Sequence, residues 1–194
     1  MNILCVRAKD RDSIINKAID SFFSQKKDHN LLSTNIDVQK PMAAVQHIQE
    51  TIQSNRIDLI IANGYSSFYV LSMPSNICKI LVNPVIDPKK SGELNLLNMV
   101  FLSNEDKKII KQIRRKVLYG ISTKNKKNVY GIFLNKEKRI NQLTLFENKY
   151  AISNKLNMFV VSNMSEWEKQ KEESPLNDII ALACEYFSIS DCIK

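Results

Sequence analysis

Histidine is almost absent from this chain, with 2 residues in 194, and glycine is scarce at 4. The low glycine count, set beside many Lys, Asn and Ile, reads as a compositional bias of the source and carries no mechanism. The 4 cysteines, Cys5, Cys78, Cys184 and Cys192, form no Cys-x-x-Cys pair and have no histidine near them, so no zinc site, other metal site or disulfide framework is expected. Cys5 and Cys78 fall inside apolar, strand-like runs, where a thiol packs as a small apolar group. No run approaches the roughly 18 to 20 apolar residues that cross a bilayer. The apolar part of Met1-Asn2-Ile3-Leu4-Cys5-Val6-Arg7 is shorter than a signal-peptide core, and a cytoplasmic protein is expected. No repeat, low-complexity tract or linker divides the chain, and 194 residues at 44% hydrophobic content suit one domain, 1–194. No cofactor is expected either.

What is abundant is positive charge. The net charge is +8, and between Lys107 and Arg139 stand 12 Lys or Arg against one acid, Glu137. Such a segment can meet an anionic partner, or it can be a solvated helix face and loop, which is the commoner case. No aromatic residues interleave the charges and no nucleic-acid motif accompanies them, so nucleic acid is not the expected partner.

Apolar patterning alternates between strand and helix along the chain. Strands are expected at Ile3 to Val6, Leu31 to Val38, Ile57 to Ala62, Ile77 to Val82, Val129 to Leu134 and Met158 to Val161, the second of them at an edge because its polarity alternates. Helices are expected from Asp12 or Ser13 to about Gln25, from Pro41 to about Gln53 with Met42, Val45, Ile48 and Ile52 inward, and from Ser103 to about Leu118. Others are expected over Leu143 to Ile152 and Pro175 to Phe187. The stretch from Asn135 to Arg139 reads as a turn. The fold class is therefore α/β, a three-layer α/β/α domain around a mostly parallel sheet of about six strands.

The densest information lies between Arg56 and Pro88. Ile57 to Ala62 is a strand-like run broken by Asn63-Gly64. Tyr65-Ser66-Ser67-Phe68 then opens a short helix, and Ile77 to Val82 is a second strand ended by Asn83-Pro84. A strand that turns within one or two residues into a helix presents its turn at the carboxyl edge of the sheet, the geometry of a nucleophile elbow. Gly64-Tyr65-Ser66-Ser67-Phe68 matches Gly-x-Ser-x-Gly in its first four positions, which makes Ser66 the candidate nucleophile.

On these residues, on Ile77-Cys78-Lys79-Ile80-Leu81-Val82 and on Asn83-Pro84-Val85-Ile86-Asp87-Pro88, the chain resembles the short single-domain bacterial esterases of the α/β-hydrolase superfamily, the YqiA-like group. The resemblance implies an α/β-hydrolase-like fold. It also implies an acid after the fifth strand, where Glu137 stands, and a histidine in the loop after the last strand. That loop, Ser162-Asn163-Met164-Ser165-Glu166-Trp167, has no histidine, and Ser165 occupies its place. The family's His-Gly pair after the first strand is Arg7-Ala8 here. Ala8, Arg7 and the Ser67 N–H are thus the expected oxyanion side of the site, with Tyr65, Phe68 and Trp167 about the pocket.

A serine needs a base, an orienting acid and donors for the oxyanion. His29 belongs to the turn before the second strand, at the amino edge. His47 lies two turns into its helix, roughly 9 Å from the carboxyl edge at 1.5 Å per residue. Neither suits the base, and each reads as an ordinary surface or half-buried histidine. Arg7 or Lys9 could instead offer charge to an anionic ligand near Ser66. Losing one triad member costs on the order of 10⁴-fold in rate. The reading is a hydrolase-like protein with weak, atypical or lost activity, acting on a small-molecule ester or anionic ligand. The alternative is a non-catalytic binding or interaction module that uses the pocket or the basic face from Lys107 to Arg139.

Overall fold

The computed structural model describes residues 1–9, 14–90, 102–119, 122–134, 136–161 and 175–189, with the backbone alone described at 14, 136–139, 175 and 189. Its strands are β1 (Asn2–Ala8), β2 (Asn30–Ile36), β3 (Leu59–Asn63), β4 (Cys78–Val82), β5 (Val129–Phe133) and β6 (Met158–Val160). They form one six-stranded sheet in the order β2-β1-β3-β4-β5-β6, and every neighbouring pair is parallel. The helices are α1 (Ile14–Ser24), α2 (Pro41–Asn55), α3 (Ser66–Val70), α4 (Asn104–Tyr119), α5 (Thr123–Lys126), α6 (Lys136–Lys149) and α7 (Pro175–Ile189).

Side chains alternate faces along a strand, and the two faces of this sheet carry separate cores. Leu4, Val6, Ile60, Ala62 and Leu81 face α2, α3, α4 and α6, where they meet Ile48, Phe68, Ile113 and Phe146. Ile3, Cys5, Leu59, Ile61, Ile80 and Val82 face α1 and α7, against Ile19, Phe23, Ile180 and Phe187. Strands covered on both faces must be apolar at nearly every position, which is why β3, β4 and β5 were legible as continuous runs. The result is a three-layer α/β/α fold, and among the described residues no helix is long and apolar enough to cross a membrane.

Several details differ from the sequence reading, among them the ends of β2 and α6, at Ile36 and Lys149. β3 begins at Leu59 because Asp58 is bound to the first strand: its N–H donates to the Asn2 carbonyl at 2.9 Å and its carboxylate accepts from the Asn2 N–H at 2.8 Å. The stretch read as a turn at Asn135 to Arg139 is mostly the first turn of α6, which starts at Lys136. On α2 the fully buried residues are Pro41, Ala44 and Ile48, whereas Met42 is exposed. That rotation puts the small Ala44 against the sheet, and Val45 and Ile52 pack only at the margin.

One glycine reports how tightly β5 is packed. A Cβ built on Gly131 would stand 2.7 Å from Cζ of Phe146 and 3.1 Å from the Phe133 ring, and Phe146 is held between Phe133 and Tyr150 with centroid spacings of 5.5 Å on both sides. The ring cannot swing away without disturbing both neighbours. Gly131→Ala is therefore expected to lower stability by about 1–3 kcal/mol, the cost of overpacking a filled core. Adding Phe146→Leu should return part of the loss in a urea melt. If Gly131→Ala alone left the midpoint unchanged, this packing account would be wrong.

Candidate functional site

The carboxyl edge of the sheet between β1, β3 and β4 holds the turn that the sequence singles out. In doubly wound sheets this edge, at the point where strand order reverses, is where ligands bind; here the reversal lies between β1 and β3. The turn is tight. β3 ends at Asn63 and α3 begins at Ser66, and the residue that makes the reversal is Gly64, with φ +60°. Tyr65 already has right-handed helical angles, φ −68° and ψ −29°, and Ser66 is the first residue of the helix. A Cβ built on Gly64 would meet no atom within 4 Å. The apex of the turn therefore faces open space and carries no side chain.

Ser66 is not exposed, in contrast to the expectation for an elbow residue. Its relative exposure is 0%, and its hydroxyl is absorbed by the main chain. Oγ lies 2.9 Å from the carbonyls of both Val6 and Asn63, and accepts from the Asn63 N–H at 3.2 Å. These bonds tie the start of α3 to β1 and to the end of β3. The expected oxyanion donor, the Ser67 N–H, donates to the Gly64 carbonyl at 3.2 Å, inside the turn itself. The Lys9 N–H, beyond Ala8 at the end of β1, donates to the Ile36 carbonyl at 2.8 Å.

The remaining candidates are distributed around this turn or away from it. Tyr65 and Phe68 are buried in the α2–α3–α4 core. Arg7 turns to the other face, where its guanidinium pairs with Asp20 of α1; an anion near Ser66 would have to compete with that carboxylate. Ala8 is buried at the end of β1. Glu137 lies in the first turn of α6, as a backbone position only. Ser165 and Trp167 lie outside the described residues. His47 is exposed, with Nε2 2.6 Å from Thr34 Oγ1 of β2. His29 is half-buried in the turn before β2, at the amino edge, with its ring 6.1 Å from that of Phe23.

A network that sequence reasoning missed fixes the loop after β4. Asp87 is fully buried and takes a two-pronged ion pair from Arg114 of α4, at 3.0 and 2.8 Å. Burial alone would push this carboxyl up, but the Arg114 guanidinium and the Lys89 N–H hold it below its ordinary value. Gln142 of α6 completes the clamp: its carbonyl oxygen accepts from the Ile86 and Asp87 N–H groups, and its amide donates to the Asp87 carbonyl. The same loop closes on the turn, since the Val85 N–H donates to the Gly64 carbonyl at 3.1 Å. A signal for it existed: Arg114 sits four residues after Ile110 and three before Val117, on the inward stripe of α4 where a cation is out of place.

The outer face of α4 is as basic as its sequence, with Lys108, Lys111 and Arg115 exposed. Among the described residues no cluster of three His, Cys, Asp or Glu could hold a metal ion.

Fold and turn together define an α/β protein with a wholly parallel six-stranded sheet, compatible with a hydrolase-like fold. Compared with models of protein families and with curated proteins, the chain matches none.

Proposed function

We propose that this chain is a hydrolase-like scaffold without serine-dependent hydrolysis, a binding module in which the elbow survives as structure. One observation carries the reading: the apex of the strand-to-helix turn is Gly64, which has no side chain, while the serine two residues later is buried and bonded to Val6 and Asn63. In a nucleophile elbow the reacting side chain projects from the strained residue at the apex. Here that residue has nothing to project.

Three further facts agree with it. The Ser67 N–H is spent on Gly64. His29 lies at the amino edge, and His47 is turned to Thr34. Residues 162–174 contain no histidine in the sequence. A buried serine hydroxyl with no base has neither access to a carbonyl carbon nor a route for its proton.

Treatment of the purified protein with a fluorophosphonate probe, followed by peptide mass spectrometry, tests the reading directly. No adduct is expected on Ser66 at any probe concentration that leaves the protein folded. Stoichiometric labelling of Ser66 would return it to the role of nucleophile and end this proposal.

A further inference from the structure

At the opposite, amino edge of the sheet a cleft of ≈ 60 Å³ opens beneath the α3–β4 connection. By the same measure one water needs about 10–15 Å³, so the space admits several waters or one small polyatomic ion. Its apolar wall is Leu71, Met73 and Val129, and its polar groups are Lys79, Lys116 and Ser75. The Tyr150 hydroxyl beside it is already committed, donating to the Val117 carbonyl at 2.6 Å.

Lys79 is an anomaly of the strand Cys78–Val82. It points to the α3–α4–α6 face, as Leu81 does, yet its relative exposure is 1%. Its ammonium donates to the carbonyls of Pro74 at 2.6 Å and Ile77 at 2.9 Å. Lys116, from the last turns of α4, donates to the Ser72 carbonyl. Together the two lysines satisfy carbonyls left over at the end of α3 and in the turn that follows, a recognised use of lysine at helix C-termini. Carbonyl dipoles hold the cations in place but do not neutralise them. Among the described residues neither ammonium pairs with a carboxylate, so two positive charges converge on one small space with no counter-charge. One proton of Lys79 and two of Lys116 remain for another acceptor, since an ammonium has three.

We infer that this cleft is a binding site for a small oxyanion, held between the Lys79 and Lys116 ammonium groups with the Ser75 hydroxyl at its rim. Attraction to two cations in a partly desolvated space is less screened than at an open surface. The protonation of Lys79 is already poised to respond. Burial, with the Lys116 cation adding to it and the Cys78 thiol acting the other way, pushes Lys79 down to about 7. Two titratable groups share the cleft with it, Lys116 from α4 and Tyr150 just beyond the end of α6, while Cys78, next to it on the strand, lies on the opposite face of the sheet. A bound anion favours the charged amine, and by linkage the charged amine must favour the anion equally.

The test uses full-length protein with isotope-labelled lysine, titrated with sulfate or with acetate against chloride at matched ionic strength, while side-chain resonances are followed by NMR. Saturable shifts of Lys79 and Lys116 are expected with at least one anion. Which anion acts would separate a tetrahedral ligand from a carboxylate. The Lys79 titration midpoint should rise by about one unit, and affinity should fall about tenfold as pH rises through that range. Lys116→Gln, at a position exposed enough to keep the fold, should weaken binding about tenfold, the worth of one charge-assisted contact. Lys79→Met should abolish binding. The inference is overturned if neither anion gives a saturable shift, if the exposed Lys108 and Lys89 shift to the same extent, or if Lys116→Gln binds as the parent does.

Discussion

Arg114→Leu is expected to lower the stability of this protein by about 3 kcal/mol, the low end of the range for leaving one partner of a buried ion pair uncompensated. The low end applies because the Arg114 side chain is 34% exposed, whereas Asp87 is 1% exposed. Without the guanidinium the carboxylate keeps the Lys89 N–H and loses both strong donors. The double variant Asp87→Leu/Arg114→Leu should be less damaged than the sum of the single ones, because no charge is then left buried.

The pH dependence gives the sign of the effect. In the parent the folded-state pKa of Asp87 is depressed, so its stabilising contribution is fully present above the unfolded value of about 3.9. It is lost as pH falls through the folded value. In Arg114→Leu the buried carboxyl has lost its cation and its pKa moves up, so the gap between variant and parent should narrow as pH is lowered from 7 towards 4. Chemical denaturation at several pH values checks this. A gap that widened on acidification would mean that Asp87 is not held ionised by Arg114.

A second large effect concerns the turn. Gly64→Cys places a thiol where a built Cβ meets no atom within 4 Å, at a cost of about 1 kcal/mol for a side chain at positive φ. Ser66→Cys places one in a fully buried position bonded to β1. A buried thiol reacts only when the structure opens locally. If that opening costs about 3 kcal/mol, maleimide should modify the first variant roughly 10²-fold faster than the second. Peptide mass spectrometry separates these adducts from those on the four native cysteines. Equal rates would mean that Ser66 is as accessible as the apex, and the binding-module reading would lose its main support.

The comparison of residues 64 and 66 shows where reading a motif runs out. Gly-x-Ser places a serine two residues after a glycine, but a motif does not say which of them occupies the apex. That depends on where the strand stops hydrogen bonding. The Gly64 N–H donates to the Val82 carbonyl, and the Gly64 carbonyl accepts from Val85. Both partners lie on or after the next strand, about twenty residues away in the chain. They hold Gly64 at the reversal and push Ser66 into the first turn of α3, under Val6.

Much else was local and therefore legible. Period-2 and period-3.6 patterns announced about six strands, most of the long helices and a mostly parallel sheet, because burial on both faces forces an apolar run in each central strand. The edge position of β2 followed from its polar alternation. The arrangements that were not legible share one property: each joins groups that no pattern links. Asp87 finds Arg114 across 27 residues, Ser66 finds Val6 across 60, and Gln142 finds Asp87 across 55. Lys79 is a cation in an apolar strand, and its place beside Lys116 at one cleft comes only from the way α4 packs over the end of α3. Order and type of element are set by patterns within a dozen residues, and this chain writes them plainly. Which serine is buried, which glycine turns the corner and which lysines face one another are set by contacts between elements, where side chains distant in sequence compete for the same space and the same hydrogen-bonding groups.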